Sequence, residues 1–201
     1  MKIIMKLYDL ELSGNCYKVR LFAALANIDL EIVPVDFLGG EHKRKPLTDL
    51  NPWGELPILV DGNRVLRDSQ AILIYLAGTY GGAAWWPAES HLQAEVAQWL
   101  STAANEIQNG PASARLVDKF GYAIDKADTL KRSARVLPLI DAHLARDQWL
   151  ALSRPTIADC AVYPYVALAP EGAVDLAPYA NIRSWIERIK RLPGYVAMPG
   201  T

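Results

Sequence analysis

An α/β segment followed by an all-helical one is the fold class this sequence predicts, and three observations predict it. Before residue 80, short β-rich runs alternate with single helical patterns. Asp61-Gly62-Asn63 separates two of those runs as a hairpin turn would. Beyond "GGAAWWP", residues 81–87, the chain becomes Ala/Leu-rich with helical periods and few strand signals. The expected division is residues 1–80 and 88–201.

Each element follows from local pattern. Residues 3–8, "IIMKLY", and 31–35, "EIVPV", flank a helical pattern with Val19, Phe22, Ala23 and Ala26 on one face. A crossover of that kind predicts a βαβ unit with parallel strands. "LPILVDGNRVLRD" predicts an antiparallel hairpin, and "SQAILIYLAGTYGG" the helix after it. The order is βαβ, a polar stretch, then ββα, which packs most compactly as a four-stranded mixed sheet carrying helices. In the second half, residues 98–112 and 130–144 read as long helices, with a kink and a widened cleft expected at Gly110-Pro111. Thr156, with Asp159 three residues on, predicts a capping box. The last helix carries Ile182, Trp185, Ile186, Ile189 and Leu192 on one face and stops at Pro193-Gly194.

Composition narrows the function classes. The chain has 201 residues, 51% of them apolar and 21% charged, enough to bury a real core. A net charge of -1, without blocks of like charge, gives no long-range pull toward nucleic acid or an anionic membrane. No stretch of eighteen apolar residues occurs, so a cytosolic address is expected. Cys16 and Cys160 form neither a Cys-x-x-Cys pair nor a cluster, which fits a reducing compartment, and His42, His91 and His143 are too scattered to predict a metal site.

Three places could carry chemistry. "LSGNCYKVRL" runs from a strand into a helix with Ser13 and Cys16 as rival nucleophilic groups. Pro57 opens a β-run, implying an edge or a cis-peptide bend that would turn the Leu56 N–H and C=O outward to pair with an extended peptide. Asp68-Ser69 sits where a strand becomes a helix. There, free N–H groups and a hydroxyl suit a carboxylate and Asp68 suits an ammonium group, the zwitterionic end of an amino acid.

The stretches "LNPWGELPILVDG", "LRDSQAILIYLA", "RPTIADCAVYPY" and "NIRSWIERIKRLPGY" resemble the cytosolic glutathione transferases along nearly the whole chain, in a bacterial, serine-type, theta/phi-like form. The resemblance implies a thioredoxin-like N-terminal domain, an all-helical C-terminal domain and glutathione as co-substrate, with no metal. It implies Pro57 as the cis proline, Leu56 as the backbone pairing with the cysteinyl part of glutathione with Glu55 beside it, and Asp68 and Ser69 at the γ-glutamyl end. His42 and Lys43 would meet the glycine carboxylate.

A hydroxyl donor at a helix N-terminus would stabilise the thiolate of glutathione. Ser13 stands where the serine-type classes carry theirs. Asn15 and Cys16 remain as assistants or rivals, and Tyr8 reads as strand packing. The electrophile is expected along the first long helix, at Asn105, Ile107, Gly110, Pro111, Ser113, Ala114 and Arg115, with Tyr163. A detoxifying transferase acting on a small hydrophobic electrophile is the leading expectation, with a glutathione-dependent disulfide reductase or peroxidase, or a non-catalytic binding module, as alternatives. The resemblance implies a homodimer, and Trp53 reads either as an apolar key at its interface or as an ordinary packed residue.

Overall fold

The computed structural model describes residues 5–201, so Ile3 and Ile4 of the first predicted strand lie outside the described residues. Strand β1 (Met5–Asp9) buries alternate side chains and leads into α1 (Gly14–Leu25) and β2 (Leu30–Pro34), which pairs parallel to β1 with Met5 opposite Leu30. A 3-10 turn (Glu41–Lys43) and the single turn α2 (Leu47–Leu50) fill the polar stretch. Strands β3 (Ile58–Asp61) and β4 (Arg64–Arg67) form the expected hairpin, with Gly62 at φ +57° in the turn. Helix α3 (Ser69–Leu76) follows and widens into a π-helical turn, Ala77–Gly81. The sheet order is β2-β1-β3-β4, with β3 antiparallel to both neighbours.

The second half is helical. Helix α4 (Ser90–Thr102) runs through a π-helical stretch, Ala103–Ala112, into α5 (Ser113–Phe120). Helix α6 (Lys126–Leu144) starts at the Asp125 cap, whose carboxylate accepts the amides of Ala127 and Asp128. Helices α7 (Ile157–Ala167) and α8 (Ala180–Lys190) complete it. Helix α7 is buried from Ile157 to Val166, so it is the shared centre of the molecule rather than a surface helix.

The capping box forms as the sequence predicts. The Thr156 hydroxyl accepts the Ala158 amide at 3.2 Å and the Asp159 carboxylate accepts the Thr156 amide at 2.9 Å. The other Asp159 oxygen accepts the Leu150 amide and Trp185 Nε1–H, tying α7 to the preceding loop and to α8. Burial pushes the Asp159 carboxyl up to about 6, against the pull of these donors.

Two contacts bind the halves where the site will lie. Tyr17 of α1 meets Tyr163 of α7 with ring centroids 6.3 Å apart, and its hydroxyl donates to the Val196 carbonyl at 2.6 Å, so the C-terminal segment straps α1. Gly194, at φ +83°, permits this approach: a Cβ there would fall 2.6 Å from the Ala24 carbonyl oxygen.

The kink at Gly110-Pro111 is present. Gly110 leaves helical geometry (φ -99°, ψ -105°), and a Cβ on it would lie 3.2 Å from the Ser133 backbone nitrogen of α6. At Gly110 itself the kinked stretch and α6 are drawn close together.

Candidate functional site

The loop between β1 and α1 builds the centre of the site. Ser13 is the N-cap of α1, with extended φ/ψ, and its Oγ accepts the Cys16 amide at 3.3 Å. Accepting an amide still allows the hydroxyl to donate, and that amide, at the positive end of a helix dipole, strengthens the donation. Ser13 is only half-buried, so a ligand can reach it.

Cys16, three residues on, faces the interior. Its side chain is fully buried and Sγ accepts the Leu10 amide at 3.4 Å, making it a packing element of the loop. Burial, reinforced by the Asp9 carboxylate, pushes its thiol up to about 12, so it carries essentially no thiolate at neutral pH.

Asn15 is half-buried in the first turn of α1. Its Oδ1 accepts from Lys18 Nζ at 2.8 Å and lies 3.5 Å from Ser69 Oγ, so the β1–α1 loop and the start of α3 share one hydrogen-bond network. The Tyr165 ring closes over this turn: a Cβ on Gly14 would fall 2.6 Å from its Cε1.

At α3, Asp68 is the N-cap at φ +69°, a strained conformation for a residue with a Cβ. Its Oδ1 accepts the amides of Gln70 and Ala71, each at 3.0 Å, and its exposed Oδ2 has no partner among the described residues. Ser69 is buried; its hydroxyl donates to the side-chain oxygen of Gln70, and its Oγ lies 3.5 Å from Asn15 Oδ1. Capping and ligand binding are therefore compatible at Asp68, since they use different oxygens.

The loop before β3 completes the arrangement. The Leu56–Pro57 peptide is cis, as is Lys45–Pro46, which the sequence reading did not anticipate. The Leu56 N–H and C=O have no hydrogen-bond partner among the described residues. The Glu55 carboxylate side is exposed, while its carbonyl accepts Asn51 Nδ2–H at 2.9 Å. Lys43 Nζ donates to the Trp53 carbonyl at 3.3 Å, its chain lying across Gly54. His42 stacks on Phe37 with centroids 4.0 Å apart, and its buried Nδ1 has no partner. Burial, then the neighbouring Lys43, pulls the imidazole below its ordinary value, so it is neutral at pH 7.

The residues expected at the electrophile site fall in three different settings. Ile107, Pro111, Ala114 and Tyr163 are buried, Tyr163 with its hydroxyl bonded to that of Tyr195 at 2.8 Å; they form core rather than a cleft wall. Gly110 and Ser113 are buried too, Ser113 donating to the Gln108 carbonyl at 2.8 Å. Asn105 is exposed but lines a cleft of about 300 Å³ between α4 and α6 with Trp99, Arg132, Val136 and Leu139, none of which belongs to the Ser13 loop. Arg115 faces that loop from within: 1% exposed, it pairs with Glu171 at 2.5 Å and donates from Nη1 to the Leu12 carbonyl at 3.0 Å. It braces the loop that presents Ser13.

Sequence reading passed over Lys18, Asn51 and Tyr165. Asn51 was the most legible, since Asn before Pro in a turn often accepts an amide two residues on, as Oδ1 does here from Trp53 at 3.2 Å. The i, i+3 spacing of Asn15 and Lys18 was visible, but not the burial of Lys18.

Comparison with known proteins gives this geometry its family. The model of the glutathione S-transferase N-terminal domain matches residues 7–84 and that of the glutathione S-transferase C-terminal domain residues 111–193. Glutathione S-transferase 3 of Zea mays is 34% identical, with 95% of this chain and 91% of that protein aligned. The disulfide-bond oxidoreductase YfcG of Escherichia coli is 27% identical over 89% of this chain and 87% of its own. A possible glutathione S-transferase from Rhodopseudomonas palustris superposes with a TM-score of 0.89 at 32% identity, covering 98% of this chain and 99% of that one. No helix among the described residues is long and apolar enough to cross a membrane, and no group of His, Cys, Asp and Glu among them could hold a metal ion. A thioredoxin-like sheet whose first helix is capped by a serine, joined to a helical bundle through a buried α7, is thus accounted for: the chain belongs to the glutathione S-transferase family.

Proposed function

We propose that this protein activates the thiol of glutathione and directs it onto a small hydrophobic electrophile. The observation that carries the reading is the placement of Ser13: its oxygen accepts the Cys16 amide, and its hydroxyl stands half-exposed at the N-terminus of α1. A thiol with an ordinary pKa of about 8.5 is only a few per cent ionised at pH 7, and a charge-assisted hydrogen bond there raises the thiolate population about tenfold. The thiolate sulfur then bonds to the electrophilic carbon; the displaced electron pair leaves with a departing group or is protonated by water.

The remainder of glutathione would lie along the groups already described. Asp68 Oδ2 takes its ammonium group, Ser69 and the free N–H groups at the start of α3 its γ-glutamyl carboxylate, and the Leu56 backbone its cysteinyl unit. Neutral His42 and cationic Lys43 meet the glycine end, with Glu55 at the rim. With the earlier cleft residues packed in core, the electrophile belongs beside Leu12, Phe120 and Tyr122, partly exposed side chains next to Arg115 and Tyr165. The protein would work in the cytosol as a homodimer. Trp53, 64% exposed and held by Arg67 4.6 Å from its ring centroid, suits an apolar key to a partner subunit.

Glutathione binding and conjugation to chlorodinitrobenzene by wild type, Ser13→Ala and Cys16→Ala test the reading. Ser13→Ala should lose at least about tenfold in kcat/KM and Cys16→Ala less than about threefold. Full turnover by Ser13→Ala would sink the assignment. The second reading is glutathione-dependent disulfide reduction, favoured by the likeness to YfcG; turnover of a small disulfide by Cys16→Ala, without conjugation by wild type, would select it.

A further inference from the structure

Lys18 is fully buried on α1, and no carboxylate among the described residues forms an ion pair with it. Its Nζ donates to Asn15 Oδ1 at 2.8 Å and lies 5.3 Å from the centroid of the Tyr165 ring; the Asp68 carboxylate acts on it only through space. Burying an ammonium without a paired anion is costly, and a methionine would fill the same volume without that cost. The fold gains nothing evident from the charge, so its use is sought in what it does to Asn15.

Protonated, the Lys18 amine offers donors only, and the Asn15 atom facing it at 2.8 Å is the oxygen. The Nδ2 end of the amide then points away from the buried network, and it has no hydrogen-bond partner among the described residues. Ser69 Oγ lies 3.5 Å from the same oxygen, while its proton goes to Gln70 Oε1. We propose that Lys18 is a positioning residue that locks the Asn15 amide so that its Nδ2–H group joins the Ser13 hydroxyl as a second donor to the sulfur of bound glutathione. The inference rests on the glutathione reading above. It also explains why Ser69 alone is not enough: the Ser69 proton goes to Gln70 Oε1, so Lys18 is the donor that holds the amide.

The test measures the pKa of the bound thiol from the ultraviolet absorbance of the thiolate, with glutathione affinity, kcat and melting temperature, in wild type, Lys18→Met, Lys18→Arg and Asn15→Asp. Lys18→Met is expected to raise the bound thiol pKa by about one unit and lower kcat at neutral pH about tenfold, with glutathione KM within about twofold and no fall in melting temperature. Lys18→Arg, which keeps a donor, should recover part of the loss. Asn15→Asp keeps the Lys18 contact but has no N–H to offer, and is expected to show the same rise; it decides the matter if Lys18→Met does not fold. An unchanged thiol pKa in Lys18→Met or in Asn15→Asp overturns the inference and leaves the transferase reading standing. Wild type that binds no glutathione overturns both.

Discussion

Gly14 and Tyr165 are in direct contact across the two halves of the chain: the ring of Tyr165, itself 6% exposed, occupies the space a Cβ on Gly14 would need, 2.6 Å from Cε1. The first helical residue after the Ser13 cap is therefore fixed by a side chain of α7. Gly14→Ala should cost about 1–3 kcal/mol by overpacking and displace the Ser13 loop, lowering conjugation more than glutathione affinity. Adding Tyr165→Leu, which makes room, should recover part of the stability in urea titrations; no recovery would mean that the clash is not the cause.

Both cysteines should be silent toward thiol reagents in the native protein. Cys16 is fully buried with its thiol pushed up to about 12, and burial holds Cys160 well above its ordinary value as well. Titration with a chromogenic disulfide should find almost no fast-reacting thiol until denaturant is added, when both react. A fast equivalent in the folded state, lost in Cys16→Ala, would restore Cys16 as a chemical participant.

Asp159 organises the start of α7 and reaches α8. Asp159→Ala leaves the Thr156 and Leu150 amides and the Trp185 indole N–H without their acceptor inside the core, at a cost of about 3–5 kcal/mol. Trp185→Phe removes a single donor and, apart from small packing losses, should cost about 1–2 kcal/mol. Thermal unfolding of the two variants side by side checks the ranking, and Asp159→Ala as stable as wild type would contradict it.

The buried Lys18 predicts a pH signature in stability. Burial pushes its amine from 10.5 down to about 7, with Asp68 pulling weakly the other way. Between about pH 7 and 10.5 the unfolded chain holds a proton that the folded chain has released, so this group makes stability rise with pH across that window. Lys18→Met lacks the contribution. Its stability advantage over wild type should be largest at pH 7 and below and shrink toward pH 10, measured by urea unfolding at several pH values; a constant difference would refute the shift.

The sequence by itself determined the elements and their order, because those signals are local. Alternation in β1, the Asp61-Gly62-Asn63 turn, the Thr156–Asp159 box and the Ile182, Trp185, Ile186, Ile189 face each depend on residues within a few positions of one another. The resemblance carried by "LNPWGELP" and "LRDSQAILIYLA" likewise named the stretches that form the candidate site, and the structure has the Leu56–Pro57 peptide cis.

What only the tertiary structure decided is which side chains within those stretches are reachable. Ser13 and Cys16 are equal in sequence, yet one side chain faces the opening and the other the core, because α1 turns Cys16 toward Leu10 and Asp9. Arg115 read as a cleft residue and is a buried brace, since its partners Leu12 and Glu171 lie far along the chain on either side. Gly110 read as a cleft opener and is a helix contact, because Ser133 comes to meet it. Periodicity shows which face of a helix is apolar; it does not show what packs there. Contacts between distant segments determine burial, and burial determines whether a thiol is inert, an amine is costly or a hydroxyl is free to donate.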